Sequence, residues 1–217
     1  SLCIEIPYIN EDTEDKCYYI FSHSFMPKRR LQEHMDKEDN APYVIWEREG
    51  LLTVTTAGGG IKTDYKAILR YLHEIVDTYE IDIQMICYDP HNSSAFLPDL
   101  EDFGCDMVEV RQSALSLNDA TRDFQLEVKA HNIEYNEDDK LLTRSMNDAI
   151  LSAPNQYGDV KIDKMIQKNR IDPCDAVICA HKYAMSVEVD DTDINDSVAA
   201  YLKMLGGDDD DEADGEI

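Results

Sequence analysis

Apolar and polar residues alternate along Ile81 to Asn92, which reads I-D-I-Q-M-I-C-Y-D-P-H-N. Ile81, Ile83, Met85 and Cys87 share one face at period two, and Ile86 and Tyr88 make the second face apolar toward its end. This predicts a strand entering a core. Pro90 cannot donate to a ladder, so the strand stops at Asp89. Asn92-Ser93-Ser94 then offers cap residues for a helix. A carboxylate is thereby expected at the C-terminal edge of a sheet strand, where α/β proteins place ligands and metals.

The rest of the chain divides by the same criterion. Ser1 to Ile9 alternates as a strand, and Cys17 to Phe25 reads as its hairpin partner across a polar turn. Lys28 to Glu38 predicts a short charged helix, and Asn40 to Gly50 a surface helix or loop carrying Trp46. Leu51 to Thr56 is a short strand completing a β-meander. Gly58-Gly59-Gly60 lacks the spacing and trailing lysine of a phosphate loop and reads as a flexible connection. Helices are predicted from a Thr63 cap to Tyr79, over Ser94 to Phe103, from Asn118 to His131 and over Asp139 to Ser152. Strands fall at Cys105 to Val110, Ile133 to Tyr135 and Val160 to Lys164. A late helix opens at Asp172-Pro173 and runs to about Met185, with a further one over Asp196 to Leu205.

Composition changes the picture in two places. The chain has 217 residues, enough for one α/β domain with a substantial core, and no apolar run long enough to span a membrane. No leader peptide is expected ahead of Ser1. Six cysteines without C-x-x-C spacing fit a reducing cytosol, with neither a disulfide framework nor a zinc site. The net charge of −26 argues by itself against nucleic acid as a partner. That charge is uneven: Lys161, Lys164, Lys168 and Arg170 form one basic strip, whereas the end reads D-D-D-D-E-A-D-G-E and is expected to be disordered.

Three acids carry the candidate chemistry. Asp89 ends a strand, Asp172 begins a helix, and Asp175 lies one turn on along the same face. Carboxylates gathered at strand and helix ends suit hard divalent ions such as magnesium. Each also has a structural explanation, and spacing alone favours it. Asp172 before Pro173 suits a helix N-cap, Asp175 complements the helix dipole, and Asp89-Pro90 suits a strand-ending turn.

The order Y-D-P-H-N, M-N-D-A-I, V-K-I-D-K and N-R-I-D-P-C-D-A-V-I-C-A resembles the C-terminal nuclease domain of tailed-phage large terminase subunits, from about Tyr18 to Met185. The resemblance implies an α/β, RNase H-like mixed sheet flanked by helices. It implies an endonuclease using two Mg2+ or Mn2+ ions to cut concatemeric viral DNA during packaging in the host cytoplasm. Asp89 and Asp172 match two of its acidic ligands, and Asp175 a position acidic only in some relatives. Lys164 matches the lysine ahead of the last motif, and Asn92 and Arg170 accompany the two motifs as DNA contacts. Double-stranded DNA, a terminase small subunit and a portal are the implied partners. Another RNase H-like resolvase or recombinase, or a non-catalytic module on the same fold, are the rival readings.

The chain departs from that family in two ways. The packaging ATPase with its phosphate loop, which such proteins carry, is expected to be missing from it. The family's first catalytic aspartate lies on a first, central strand, whereas Leu2 to Pro7 matches the second strand. The sheet is therefore expected to lack that central strand, leaving a slot, and cleavage is expected to be weak or absent. In the alternative, Leu2 to Pro7 fills the first strand and Glu5 stands in for the aspartate. Residues 1–186 are expected to form the nuclease domain, 187–206 a helical extension and 207–217 the acidic tail.

Overall fold

The computed structural model describes residues 1–36, 41–91, 93, 96–166 and 169–189. The helix expected over Asp196 to Leu205, the acidic tail and Asn92 lie outside the described residues.

Strand β1 (Leu2–Ile9) and strand β2 (Lys16–Pro27) form an antiparallel hairpin running from Leu2 opposite His23 to Ile9 opposite Lys16. Asn10 closes the turn, its side-chain oxygen accepting from the Asp12 and Thr13 amides. Cys17, Tyr18, Tyr19 and Ile20 are buried in succession, so β2 is covered on both faces. Helix α1 (Lys28–Asp36) and helix α2 (Tyr43–Arg48) lead to strand β3 (Leu52–Thr55). Here the structure corrects the expected meander, because β3 pairs with β2 in parallel, Ser24 opposite Leu52. The two intervening helices supply the crossover that a parallel pair requires. Segment α2 is a surface helix, with Val44, Ile45, Glu47 and Arg48 exposed, but its inner face is anchored: Trp46 is buried with Tyr43, Leu31, Leu52 and Leu141 in a second core.

The triple glycine forms the single turn α3 (Ala57–Gly60), with Gly58, Gly59 and Gly60 all at positive φ. Helix α4 (Tyr65–Tyr79) is capped by Asp64, whose side chain accepts from the Ala67 amide, rather than by Thr63. Its Tyr71 stacks on His23 of β2 at 4.0 Å. Strand β4 (Met85–Tyr88) is shorter and more exposed than the alternation implies, and Ile81 to Gln84 stay outside it. Segment α5 (Leu97–Leu100) and a 3-10 turn end at Gly104, and strand β5 (Asp106–Glu109) follows parallel to β4.

Helix α6 (Ala114–Ala130) starts four residues before the expected Asn118, because Ser113 caps it by accepting from the Ser116 amide. Strand β6 (Ile133–Tyr135) joins β2 in parallel beside Tyr18 to Ile20. Helix α7 (Lys140–Asp148) is capped by buried Asp139, which accepts from the Leu142 amide and the Ser22 hydroxyl. It stops short of Ser152, since strand β7 (Ala149–Leu151) peels off to pair antiparallel with strand β8 (Ile162–Lys164). Helix α8 (Asp172–Ala184) crosses the centre, burying Cys174, Val177, Ile178 and Cys179 against Leu117, Phe124 and Leu142. At its C-terminal end the Lys16 ammonium donates to the carbonyls of Ala184, Met185 and Val187, satisfying acceptors the helix leaves open.

The strands thus fall into a four-stranded sheet around β2, the β4–β5 pair and the β7–β8 pair. Both β1 and β4 pack under α8, yet neither pairs with the other, and each has one edge without a partner among the described residues. A strand held on one edge only is easily frayed, which accounts for the short, half-exposed β4. No helix among the described residues is long and apolar enough to cross a membrane.

Candidate active site

The start of α8 gathers the acids that sequence spacing places on one helix face. Ile171 occupies the N-cap without a capping side chain, and Asp172 is the first helical residue. The expected capping role of Asp172 is therefore not served; its carboxylate is exposed and free to face solvent. Pro173 tolerates this first turn because its missing N–H would have had no helical partner. The hydroxyl of Ser145 accepts from the Cys174 amide at 3.0 Å, pinning the turn to α7. Asp175 is half-buried one turn on, its own amide donating to the Ile171 carbonyl.

Burial and then the Asp172 charge push the Asp175 carboxyl up to about 6, with Lys161 and Lys164 pulling the other way. Two carboxylates are thus crowded on one turn, short of positive charge despite the helix dipole.

Asp89 follows β4 and is exposed. Its carboxylate accepts from the His91 amide at 3.0 Å, so the turn-closing role expected of Asp89-Pro90 is present. The Asp89 charge reaches the Cys179 thiol of α8, as does the Asp175 charge. Burial chiefly, against hydrogen bonding from Gln112, holds that thiol up at about 11. Asp89 therefore comes toward α8 from the end of β4 without joining Asp172 and Asp175 in a group able to hold a metal. Among the described residues no three His, Cys, Asp or Glu side chains gather closely enough to hold a metal ion. The donor chemistry of the Asp172–Asp175 pair suits a hard divalent cation, whose charge would relieve the crowding. Lys164 at the end of β8 is half-buried, and Arg170 is exposed two residues before Asp172.

Glu5 is committed elsewhere. Its carboxylate meets Nδ1 of His181 at 2.6 Å, while Asp123 of α6 meets Nε2 at 3.0 Å. His181 lies nine residues beyond Asp172, roughly 13 Å along the helix at about 1.5 Å per residue. Glu5 therefore does not join the acid pair as a stand-in ligand. The Glu5 and His181 side chains are 1% and 0% exposed. Burial lowers the imidazole pKa, but the two carboxylates outweigh it and hold His181 above its ordinary value. Sequence reading missed this bracket because its members are 176 and 58 residues apart.

It also missed a cleft of about 240 Å3 beside Asp172, whose walls include Arg30 of α1, Trp46 of α2, Arg144 and Asp148 of α7, and Arg170. These positions share no motif and meet only through the fold.

Residues 6–188 match the family described as the terminase large subunit, endonuclease domain. The terminase large subunit of Enterobacteria phage HK97 is 24% identical over 163 residues, covering 74% of this chain and 31% of that protein. The crystal structure of the HK97 bacteriophage large terminase superposes with a TM-score of 0.66 at 21% identity, over 84% of this chain and 39% of that one. The chain thus spans about a third of the length of its curated relative. The mixed sheet crossed by α8 and flanked by helices is the fold of that structure. With the family match covering most of its length, the chain belongs to the terminase large-subunit endonuclease-domain family.

Proposed function

We propose that this chain is the metal-dependent endonuclease domain of a viral DNA-packaging terminase, acting on concatemeric double-stranded DNA in the infected cell. The observation that carries the reading is the Asp172–Asp175 pair, two carboxylates crowded at the start of α8 with Asp175 raised to about 6. Asp172 and Asp175 would hold Mg2+ or Mn2+, with Asp89 contributed from the end of β4. Two bound ions would supply an activated water and a counter-charge for the leaving oxygen of the phosphodiester. Lys161 and Lys164, whose charges already act on Asp175, hold positive charge beside the pair. A small subunit, a portal and a separate motor would bring the domain to DNA. That arrangement reconciles a nuclease with a net charge of −26.

The test pairs plasmid cleavage with Mn2+ calorimetry on the wild-type chain and on Asp89→Asn, Asp172→Asn and Asp175→Asn. Metal-stimulated cleavage should fall at least a hundredfold in Asp172→Asn, and Mn2+ binding should weaken with it. Cleavage and Mn2+ binding that both survive in Asp172→Asn would refute the assignment. A non-catalytic module on this fold is the second reading, favoured by the lack of a third gathered acid among the described residues. It predicts no Mn2+ heat and no cutting, with the three variants differing only in stability.

A further inference from the structure

Arginines are scarce in this chain, and three of them, Arg30, Arg144 and Arg170, line the one cleft that Asp172 also borders. They come from α1, α7 and the approach to α8, so only the tertiary fold assembles them. Arg144 is held in place: its Nε meets Asp148 at 3.5 Å and its guanidinium lies 6.0 Å from the centre of the Trp46 ring. Arg30 is exposed and bridges to Glu33 at 3.4 Å. Arg170 is exposed and has no hydrogen-bond or ion-pair partner among the described residues. Against these stand two acids in the cleft, Asp148, which is paired with Arg144, and Asp172. The lining is thus locally cationic on a chain whose net charge is −26.

A guanidinium presents a planar fork of donors that matches phosphate oxygens, and several from different directions define a seat for one. Trp46 is 5% exposed, so its ring is covered and offers no platform on which a base could stack. The cleft therefore suits the backbone, not the base. We propose that it seats a backbone phosphate of the DNA strand that runs past Asp172, separate from the phosphodiester to be cut. This rests on the nuclease reading above for the identity of the strand, but the seat itself requires no metal. Phosphate contacts position a strand without reading its sequence. The cleft would set where along the strand the acids act.

The experiment is a salt titration of duplex binding by fluorescence anisotropy, without divalent metal. It compares the wild-type chain with Arg170→Gln, the triple variant Arg30→Gln/Arg144→Gln/Arg170→Gln, and Arg70→Gln on α4 as a control outside the cleft. Each lost phosphate contact lowers the slope of log affinity against log salt by about 0.9. For a seat that takes one phosphate, Arg170→Gln should lower it by up to about 0.9 and the triple variant by about 0.9 in all, with Arg70→Gln unchanged. Arg170 touches nothing that holds the fold, so its variant reports even if the triple variant fails to fold. A slope equal to wild type in Arg170→Gln, an equal fall in Arg70→Gln, or no duplex binding by the wild-type chain at low salt would overturn the seat. If the slopes fall as expected but wild-type chain shows no metal-stimulated cleavage, the seat stands and the nuclease reading fails. If cleavage depends on Asp172 while Arg170→Gln keeps the wild-type slope, the reverse holds.

Discussion

Replacing His181 with alanine removes an imidazole that is wholly inaccessible to solvent and leaves Glu5 buried with only the Lys16 charge to offset its own. The two halves of the bracket are unequal. Glu5 is 1% exposed, whereas Asp123 is 38% exposed and largely screened by water. Breaking a buried pair by deleting one partner costs about 3–5 kcal/mol, because the survivor's charge is left uncompensated. One carboxylate oxygen of Glu5 already lacks a partner, so it has no second contact to fall back on. An exposed half-pair contributes about 0–1 kcal/mol, so Asp123→Ala should cost no more than that. Urea denaturation reads both. With a slope of about 2 kcal/mol per molar, His181→Ala should lower the midpoint by roughly 1.5–2.5 M. Adding Glu5→Leu to His181→Ala should recover much of the loss, since the stranded charge goes with it. The pH dependence follows the same logic. His181 has a folded pKa above 6.5, so its contribution is complete below 6.5 and is lost as pH rises through the folded value. Wild-type stability should fall over that rise, and His181→Ala should not share the fall. A His181→Ala cost under about 1 kcal/mol, or one equal to that of Asp123→Ala, would refute the claim that the bracket holds β1 and α6 to α8.

Two further outcomes can be checked independently. Asp175 titrates at about 6 against an ordinary 3.8, so its ionisation costs stability progressively as pH rises between those values. Asp175→Asn should therefore raise thermal stability at pH 7, by about 1 kcal/mol after allowing for partial exposure, and give no gain at pH 3. Gly60 has φ +78°, and a Cβ there would lie 3.0 Å from the Lys28 Cβ. Gly60→Ala should cost about 1–3 kcal/mol in a melting experiment, far more than the substitution would at a freely turning glycine.

Several elements were legible because their signals are local. Strand alternation in Leu2 to Ile9 and the apolar stripe from Ile68 to Tyr79 each need only a few neighbouring residues to read. The three-residue spacing of Asp172 and Asp175 likewise predicts two acids on one helix face, which the structure confirms. Boundaries were less legible. Thr63 and Asp64 are both competent caps, and only the geometry selected Asp64. Ser113 caps α6 ahead of its first clearly periodic residues, which hid the first turn. The sharpest departure is β4, where seven alternating residues, Ile81 to Cys87, predict a longer strand than forms. Alternation reports which face a residue would take, but a strand persists only where a neighbour satisfies its amides and carbonyls.

The order of residues by itself determined the α/β class, most of the helices and strands, and the family to which the chain belongs. It also determined that Asp172 and Asp175 share a helix face, because a helix imposes its period on whatever sequence adopts it. The tertiary structure alone decided that β3 runs parallel to β2, that Glu5 answers to His181, and that Arg30, Arg144 and Arg170 share a cleft with Asp172. Each of these joins residues far apart along the chain. Their meeting depends on how packed elements cross, and that is settled by burial of the whole core, not by any pattern within a short stretch.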